Sequence, residues 1–244
     1  MRTVRLVVGF QGTHYEGWQS QRKGNTLQEV FEKILEKVLK HKAHLVGSSR
    51  TDSGVHAIGF AAHFRTANPL PDKKIKDALN FYLPRDVVVF SAKTVSGLFH
   101  ARFSARGKLY RYDIWRSPTR PLFEAPFVLW HPGPLDAAWM KKAAKVLTGR
   151  HDFSAFRGRD GGERNPVKNV RFVRIRRIKR LVRIEIEADG FLRHMARIIV
   201  GTLIEAGRKK ISPEKMAEIL HSKDRAKAGP TAKAYGLTLV KVKY

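Results

Sequence analysis

The sequence predicts an α+β chain of two consecutive β-α-β-β-α-β units, each ferredoxin-like. Three observations carry this expectation. Period-2 and period-3.6 apolar patterns follow one another in the same order twice along 244 residues, a length that allows one large or two smaller domains. Each half places a pair of strand patterns between two helical ones. A stretch without clear period, residues 97–105, joins the halves, so domains are expected at 1–103 and 104–244.

The elements follow in order. Val4, Leu6, Val8 and Phe10 alternate, giving a strand over 2–10. Thr26 and Glu29 have capping-box spacing ahead of the helical stripe Val30, Phe31, Ile34, Leu35, Val38 and Leu39. Residues 43–48 are strand-like, and Ile58, Phe60, Ala62 and Phe64 recur every second residue in a further strand. Asp72 opens a short helix through Ile75, Ala78, Leu79 and Tyr82, and 87–95 returns as a strand.

The second half begins with a strand over 106–116. Asp136 then caps a helix through Trp139, Ala143 and Leu147 that stops at Gly149. Strands follow over 170–178 and 181–188, the latter with Val182, Ile184, Ile186 and Ala188 on one face. A helix is expected over 191–206, ended by Gly207, and a shorter one opens at Ser212-Pro213 with proline in the first helical position. Leu237, Leu239 and Val240 mark a last strand. Residues 157–169, with Gly158, Gly161, Gly162 and Pro166, read as a basic loop insertion in the second domain.

Composition narrows the function classes. Lys plus Arg number 48 and Asp plus Glu 21, a formal net charge of +27. Such an excess points to a polyanionic partner, since each neutralised phosphate releases counterions. Charge alone does not separate RNA, DNA and an anionic membrane. A thermophile-like surface would enrich acids as well, and acids are scarce here. Between Arg157 and Arg183 stand eleven Lys or Arg residues against Asp160 and Glu163. With Val173 and Ile175 facing a core, Arg174 and Arg176 face outward, as a row of cations for a ligand or as a solvated sheet face.

Other classes are disfavoured by what the chain lacks. With no cysteine there is no disulfide, Cys-zinc site, iron–sulfur cluster or thiol chemistry, which suits a reducing compartment. Met1-Arg2-Thr3-Val4-Arg5 is too short in apolar length for a signal peptide, and no run approaches a membrane span, so a cytoplasmic location is expected. The phosphate-binding, dinucleotide, zinc-protease and nucleophile-elbow motifs are missing, as is the aromatic signature of an RRM. His56 and His63 lie seven apart and face opposite sides of a regular strand, which disfavours a shared metal. No metal or other cofactor is expected.

Residues 49–57 read Ser-Arg-Thr-Asp-Ser-Gly-Val-His-Ala. Asp52 stands in a turn between two strand-like runs, with Arg50 two residues before it and Gly54 two after. That arrangement suits a catalytic nucleophile or base. Asp-Ser-Gly is equally ordinary turn chemistry. On these residues alone both readings stand.

Read together, six blocks resemble the tRNA pseudouridine synthase A family. They are Gly12-Thr13 with Tyr15-Glu16-Gly17-Trp18-Gln19-Ser20-Gln21 and Thr26-Leu27-Gln28; Arg50 to Ala57; Phe99-His100-Ala101-Arg102 with Tyr110-Arg111-Tyr112; His151-Asp152-Phe153-Ser154-Ala155-Phe156; Phe191-Leu192-Arg193-His194-Met195-Ala196-Arg197 with Gly201-Thr202-Leu203; and Gly229-Pro230-Thr231-Ala232 with Gly236-Leu237-Thr238-Leu239. The resemblance spans almost the whole chain. It implies two ferredoxin-like domains sharing a central, mostly antiparallel sheet.

It also implies a cofactor-free isomerisation of uridine to pseudouridine, in the anticodon stem-loop of tRNA at positions 38 to 40, by a homodimer in which one tRNA touches both subunits. Asp52 matches the family's catalytic aspartate, acting as nucleophile or base. Burial would raise its pKa and a neighbouring cation would oppose that. Arg197 matches the arginine that pairs with the aspartate; by spacing alone it is a solvated helix charge over Arg193. Tyr110 matches the active-site tyrosine, whose ring can stack on the base, although a strand tyrosine in a core is the default. Arg50 fits either a hold on the flipped-out state or a surface phosphate contact. Leu237 and Leu239 are pocket walls or sheet core. Ser49 stands where the family usually has glycine, Gln11 where it has aspartate and Lys233 where it has proline. The competing expectation is a non-catalytic RNA-binding or RNA-chaperone protein, which would not need the set Arg50, Asp52, Tyr110 and Arg197. A metal-dependent nuclease is disfavoured by the lack of clustered acids.

Overall fold

A computed structural model describes residues 1–21, 24–159 and 165–244. The centre of the expected basic insertion, residues 160–164, lies outside the described residues. The described chain is of α+β class, with ten strands and five α-helices. It forms two compact units, residues 1–106 with 239–244, and residues 107–238. Residues 104–106 and 239–244, read from sequence into the second domain, cluster with the first.

In the first unit, β1 (Arg2–Phe10) lies between β3 (His56–Thr66) and β4 (Val87–Val95), antiparallel to both. On its far side β3 neighbours β10 (Leu237–Lys243). The pairs Val4↔Phe64, Leu6↔Ala62 and Val8↔Phe60 follow the expected alternation, and all six residues are buried. Helices α1 (Leu27–Leu39) and α2 (Asp72–Tyr82) bury Leu27, Phe31, Leu35 and Leu39, and Ile75 and Leu79. Each such side chain contributes about 1.5–3 kcal/mol on leaving water.

Two details differ from expectation. Only β2 (Val46–Gly47) of the strand-like run 43–48 joins the sheet, pairing with His63 and Ala62. Just before it, the Leu45 N–H donates to the Glu32 carboxylate at 2.9 Å rather than to a strand. Thr26 is the N-cap of α1 but makes no side-chain cap bond. The first N–H groups of the helix donate instead to main-chain carbonyls, Leu27 to Gly17 at 3.1 Å and Gln28 to Trp18 at 3.0 Å. The Ser20 hydroxyl donates to Glu29 at 2.6 Å and, as the largest influence, holds its carboxyl below the usual range, with Thr26 and the Gln21 N–H lowering it further.

The second unit has strand order β5 (Gly107–Arg116), β9 (Leu181–Ala188), β8 (Val167–Ile178), β7 (Gly149–Asp152), with β6 (Leu129–His131) parallel on β5. Strands β6 and β7 are too short to show a period and were not expected. Val182, Ile184, Ile186 and Ala188 are buried together. On β8, Ile175 is buried and Val173 half-buried while Arg174 and Arg176 are exposed, so the row of cations forms. Helix α3 (Ala137–Ala144) is capped by Asp136, which accepts from the Trp139 N–H at 2.9 Å. It gives way to a 3-10 turn before Gly149, whose φ of 111° ends the run. Helix α5 (Pro213–Ser222) starts as expected, with Ser212 capping Lys215. Helix α4 (Met195–Gly207) begins four residues later than expected, because His194 at its N-cap is left-handed with φ 58°. No helix among the described residues is long and apolar enough to cross a membrane.

Candidate active site

The carboxylate of Asp52 sits on a turn that main-chain contacts hold. The Val55 N–H donates to the Asp52 carbonyl at 3.2 Å, and Gly54 supplies the positive φ of 78° that the turn needs. A strap of residues 12–18 lies against it. Trp18 donates its N–H to the Thr51 carbonyl at 3.2 Å, and Gly54 donates to the Tyr15 carbonyl at 3.3 Å. The Ser53 hydroxyl donates to the same Tyr15 carbonyl, and the Gly12 N–H donates to His56 Nδ1 at 3.0 Å.

The strap carries glycine at two of these contacts for want of space. A Cβ on Gly17 would lie 2.4 Å from the Thr51 carbonyl oxygen, and Gly17 has φ 94°. A Cβ on Gly12 would lie 2.0 Å from the Val55 oxygen. The other side of the strap takes the first N–H groups of α1, described above. Its side chains are fixed too. Trp18 stacks on Phe60 with centroids 4.0 Å apart, and the buried Tyr15 hydroxyl donates to Asp86 at 2.8 Å. Burial first, and Asp86 second, push the Tyr15 hydroxyl pKa up, so it remains a donor at neutral pH. Asp52 itself is half-buried and Arg50 exposed. The result is a partly desolvated carboxylate on a turn with little freedom to move, the positioning that a nucleophile or base requires.

The remaining candidates belong to the second unit. Tyr110 stands on β5 opposite Ile186, buried, with Phe191 edge-on to its ring at 4.8 Å. Arg197 lies in the first turn of α4. Its Nε–H donates to the Ala232 carbonyl at 2.8 Å, while the Ala232 N–H donates back to the Arg197 carbonyl at 3.1 Å. Arg197 is half-buried, so it is not the solvated helix charge that its spacing over Arg193 suggested. The segment around Ala232 lies directly on α4. A Cβ on Gly201 would come within 1.7 Å of the Pro230 oxygen, and the Gly229 N–H donates to the Thr202 hydroxyl at 2.9 Å. Two blocks distant in sequence, Gly201-Thr202 and Gly229-Pro230-Thr231-Ala232, are thus one contact. Lys233 contributes its carbonyl, which accepts from the Tyr112 hydroxyl at 2.8 Å. Leu237 is buried as well, and so is Leu239, which belongs to the first unit.

Some functional groups escaped the sequence reading. His56 and His63 both serve as buried acceptors for main-chain N–H groups, of Gly12 and of Ala101 respectively, the second at 3.1 Å. Nothing local in sequence marks that role, because each partner lies more than 35 residues away. Among the described residues no group of three or more His, Cys, Asp or Glu side chains is placed to hold a metal ion.

Comparison with known proteins supplies the context. The profile of the tRNA pseudouridine synthase family matches residues 6–104 and 143–244. The chain is 45% identical to tRNA pseudouridine synthase A of Thermoanaerobacter sp. (strain X514) over 248 residues, covering all of both chains. It is 41% identical to tRNA pseudouridine synthase A 2 of Clostridium perfringens over 244 residues, again covering all of both. It is 42% identical to the Geobacter sulfurreducens tRNA pseudouridine synthase A, with both chains fully covered.

Proposed function

We propose, from the premise that the chain belongs to the tRNA pseudouridine synthase family and so isomerises uridine to pseudouridine in tRNA, that Asp52 is the carboxylate on which the reaction turns. The observation that carries this is the clamp on its turn, two glycine-lined main-chain contacts that fix a half-buried acid beside an exposed arginine. In the reaction the N1–C1′ bond breaks, the uracil rotates, and C5 bonds to C1′. The C5 proton is released and N1 gains one, so nothing is oxidised and no water is consumed. Asp52 acts in its ionised form, as a nucleophile or as a base toward the sugar.

The other residues take roles suited to their chemistry. A uridine inside a stem is out of reach until extruded, at a cost of a few kcal/mol, and an exposed arginine beside the acid, Arg50, suits the task of holding the flipped state. The flat ring of Tyr110 stacks on the base, and Leu237 gives an apolar wall. Arg197, aimed by the Ala232 carbonyl, serves as the cation that keeps the acid ionised. The substrate positions are uridines 38 to 40 of the anticodon stem-loop, the working form is a homodimer, and the setting is the cytoplasm. The units 1–106 with 239–244 and 107–238 are the two ferredoxin-like halves. The test is to incubate the purified chain with tRNA transcripts carrying uridine at 38, 39 or 40 and map pseudouridine by carbodiimide-stopped primer extension. Product at these positions, lost when they are changed to cytidine, is expected. Product confined to another arm of the tRNA would overturn the assignment of site.

A further inference from the structure

A rigid turn near the Asp52 segment presents an aromatic ring to solvent. Residues 99–104 leave β4 and close on themselves: the Ser104 N–H donates to the His100 carbonyl at 2.9 Å, and the His100 N–H to the Ser104 hydroxyl at 3.0 Å. His100 Nδ1 faces the N–H groups of both Arg102 and Phe103 at 3.2 Å. Ala101 is fully buried between His63, which accepts its N–H, and the Tyr244 hydroxyl, which donates to its carbonyl at 2.8 Å.

A turn this well tied could have buried its phenylalanine. Instead Phe103 is 77% exposed. Its ring is stacked on the His100 imidazole, centroids 4.3 Å apart and 30° between planes, and the Arg102 guanidinium lies 5.8 Å from its centroid. His100, Arg102 and Phe103 line one cleft of about 140 Å³ together with Ser49 and Arg50. One ring face is covered by His100, the exposure lies on the remainder, and two guanidiniums share the cleft.

We propose that this turn is a stacking subsite for an unpaired tRNA nucleotide next to the uridine being modified, its base on Phe103 and its phosphate between Arg50 and Arg102. Flat apolar surface flanked by guanidiniums is the pairing that single-stranded RNA recognises, a π-face for the base and bidentate donors for the phosphate. An apolar peptide would gain little from the two charges, whereas a polyanion is drawn by the chain's net charge of +27. The subsite rests on tRNA being the substrate. It adds a place for the strand that loses its stacking when the target uridine is extruded, so the extruded state is held from beside the reacting carboxylate.

Equilibrium binding of tRNA at one fixed salt concentration tests it, with wild type, Phe103→Ala, Phe103→Ile and Phe103→Trp, and with thermal melts to verify folding. Turnover at saturating tRNA is measured alongside. Loss of base–aromatic stacking weakens binding roughly tenfold in Phe103→Ala. Phe103→Ile, apolar but not flat, is expected to lose as much, and Phe103→Trp to bind within about twofold of wild type. Turnover at saturating tRNA falls along with binding in Phe103→Ala and Phe103→Ile and is kept in Phe103→Trp, because the stacked neighbour holds the extruded state. Binding by Phe103→Ala equal to wild type, or by Phe103→Ile equal to Phe103→Trp, overturns the subsite. If wild type binds tRNA yet forms no pseudouridine while the Phe103 series behaves as expected, the catalytic reading fails and the subsite stands.

Discussion

The Asp52 turn and the start of α4 hold their functional groups by opposite means. Asp52 rides on a loop with no regular structure of its own, and main chain pressed on main chain at Gly12 and Gly17 fixes it. Arg197 rides on a helix that is already rigid, and the Ala232 carbonyl helps to aim its side chain. An acid held on a loop in this way depends on glycine at the points where main chain meets main chain. The arginine on the helix depends on a second strap, residues 229–232, lying where Gly201 admits it. The same substitution, glycine to alanine, should therefore act on the chemistry in one region and on the aim of a side chain in the other.

The largest effect short of removing the acid is expected from Gly17→Ala. Its Cβ would meet the Thr51 oxygen at 2.4 Å in a backbone with φ 94°. Displacing the turn by that much should lower kcat on the order of a hundredfold, and strain should destabilise the unit by about 1–3 kcal/mol, read by single-turnover assay and denaturant melt. Wild-type turnover in this variant would show that the clamp is irrelevant. Arg197→Met comes next. It should reduce kcat by roughly tenfold or more while tRNA binding stays within about twofold, if the role proposed for Arg197 is toward the acid rather than toward phosphate. Equal losses in both would make Arg197 a phosphate ligand.

Gly201→Ala should follow, with a Cβ 1.7 Å from the Pro230 oxygen that lifts the strap. A stability loss of about 2 kcal/mol and a smaller fall in kcat than in Arg197→Met are expected. A fall in kcat larger than that of Arg197→Met would mean the strap does more than aim the arginine.

The smallest effect is in pH dependence. His63 is pushed down to about 4, chiefly by burial, then by His100 and Arg65, against a bond to the Val46 carbonyl. The unfolded chain takes up this proton near 6.5, the folded chain only near 4. Stability is therefore retained above pH 6.5 and lost as pH falls from there toward 4. His63→Asn keeps an acceptor for the Ala101 N–H without the titration, and should flatten the melting temperature between pH 7 and 4.5. Identical slopes would remove His63 from the account.

The sequence disclosed much of the frame and little of the clamps. Alternation along β1, β3 and β9 and the stripe of α1 were legible, because burial of one face leaves a period. The start of α4 was not, since a left-handed His194 has no compositional signal. Nor was the capping of α1, where carbonyls of Gly17 and Trp18 replace the side chain that the Thr26–Glu29 spacing suggested. Asp52 and Arg50 stood out by motif. Their support did not, because Gly12, Gly17 and His56 act through main-chain contacts between distant segments, which no local pattern records. Arg197 was ambiguous for a similar reason. Its partner carbonyl is 35 residues away, so spacing within the helix pointed only to Arg193.

The central claim is that the acid on the clamped turn performs the isomerisation. Tritium release from tRNA labelled at uridine C5 measures it directly, comparing wild type with Asp52→Asn and recording tRNA binding for both. The expected result is release by wild type with no added metal or nucleotide, and turnover lost in Asp52→Asn with binding within about twofold. Release at the wild-type rate by Asp52→Asn would contradict the account.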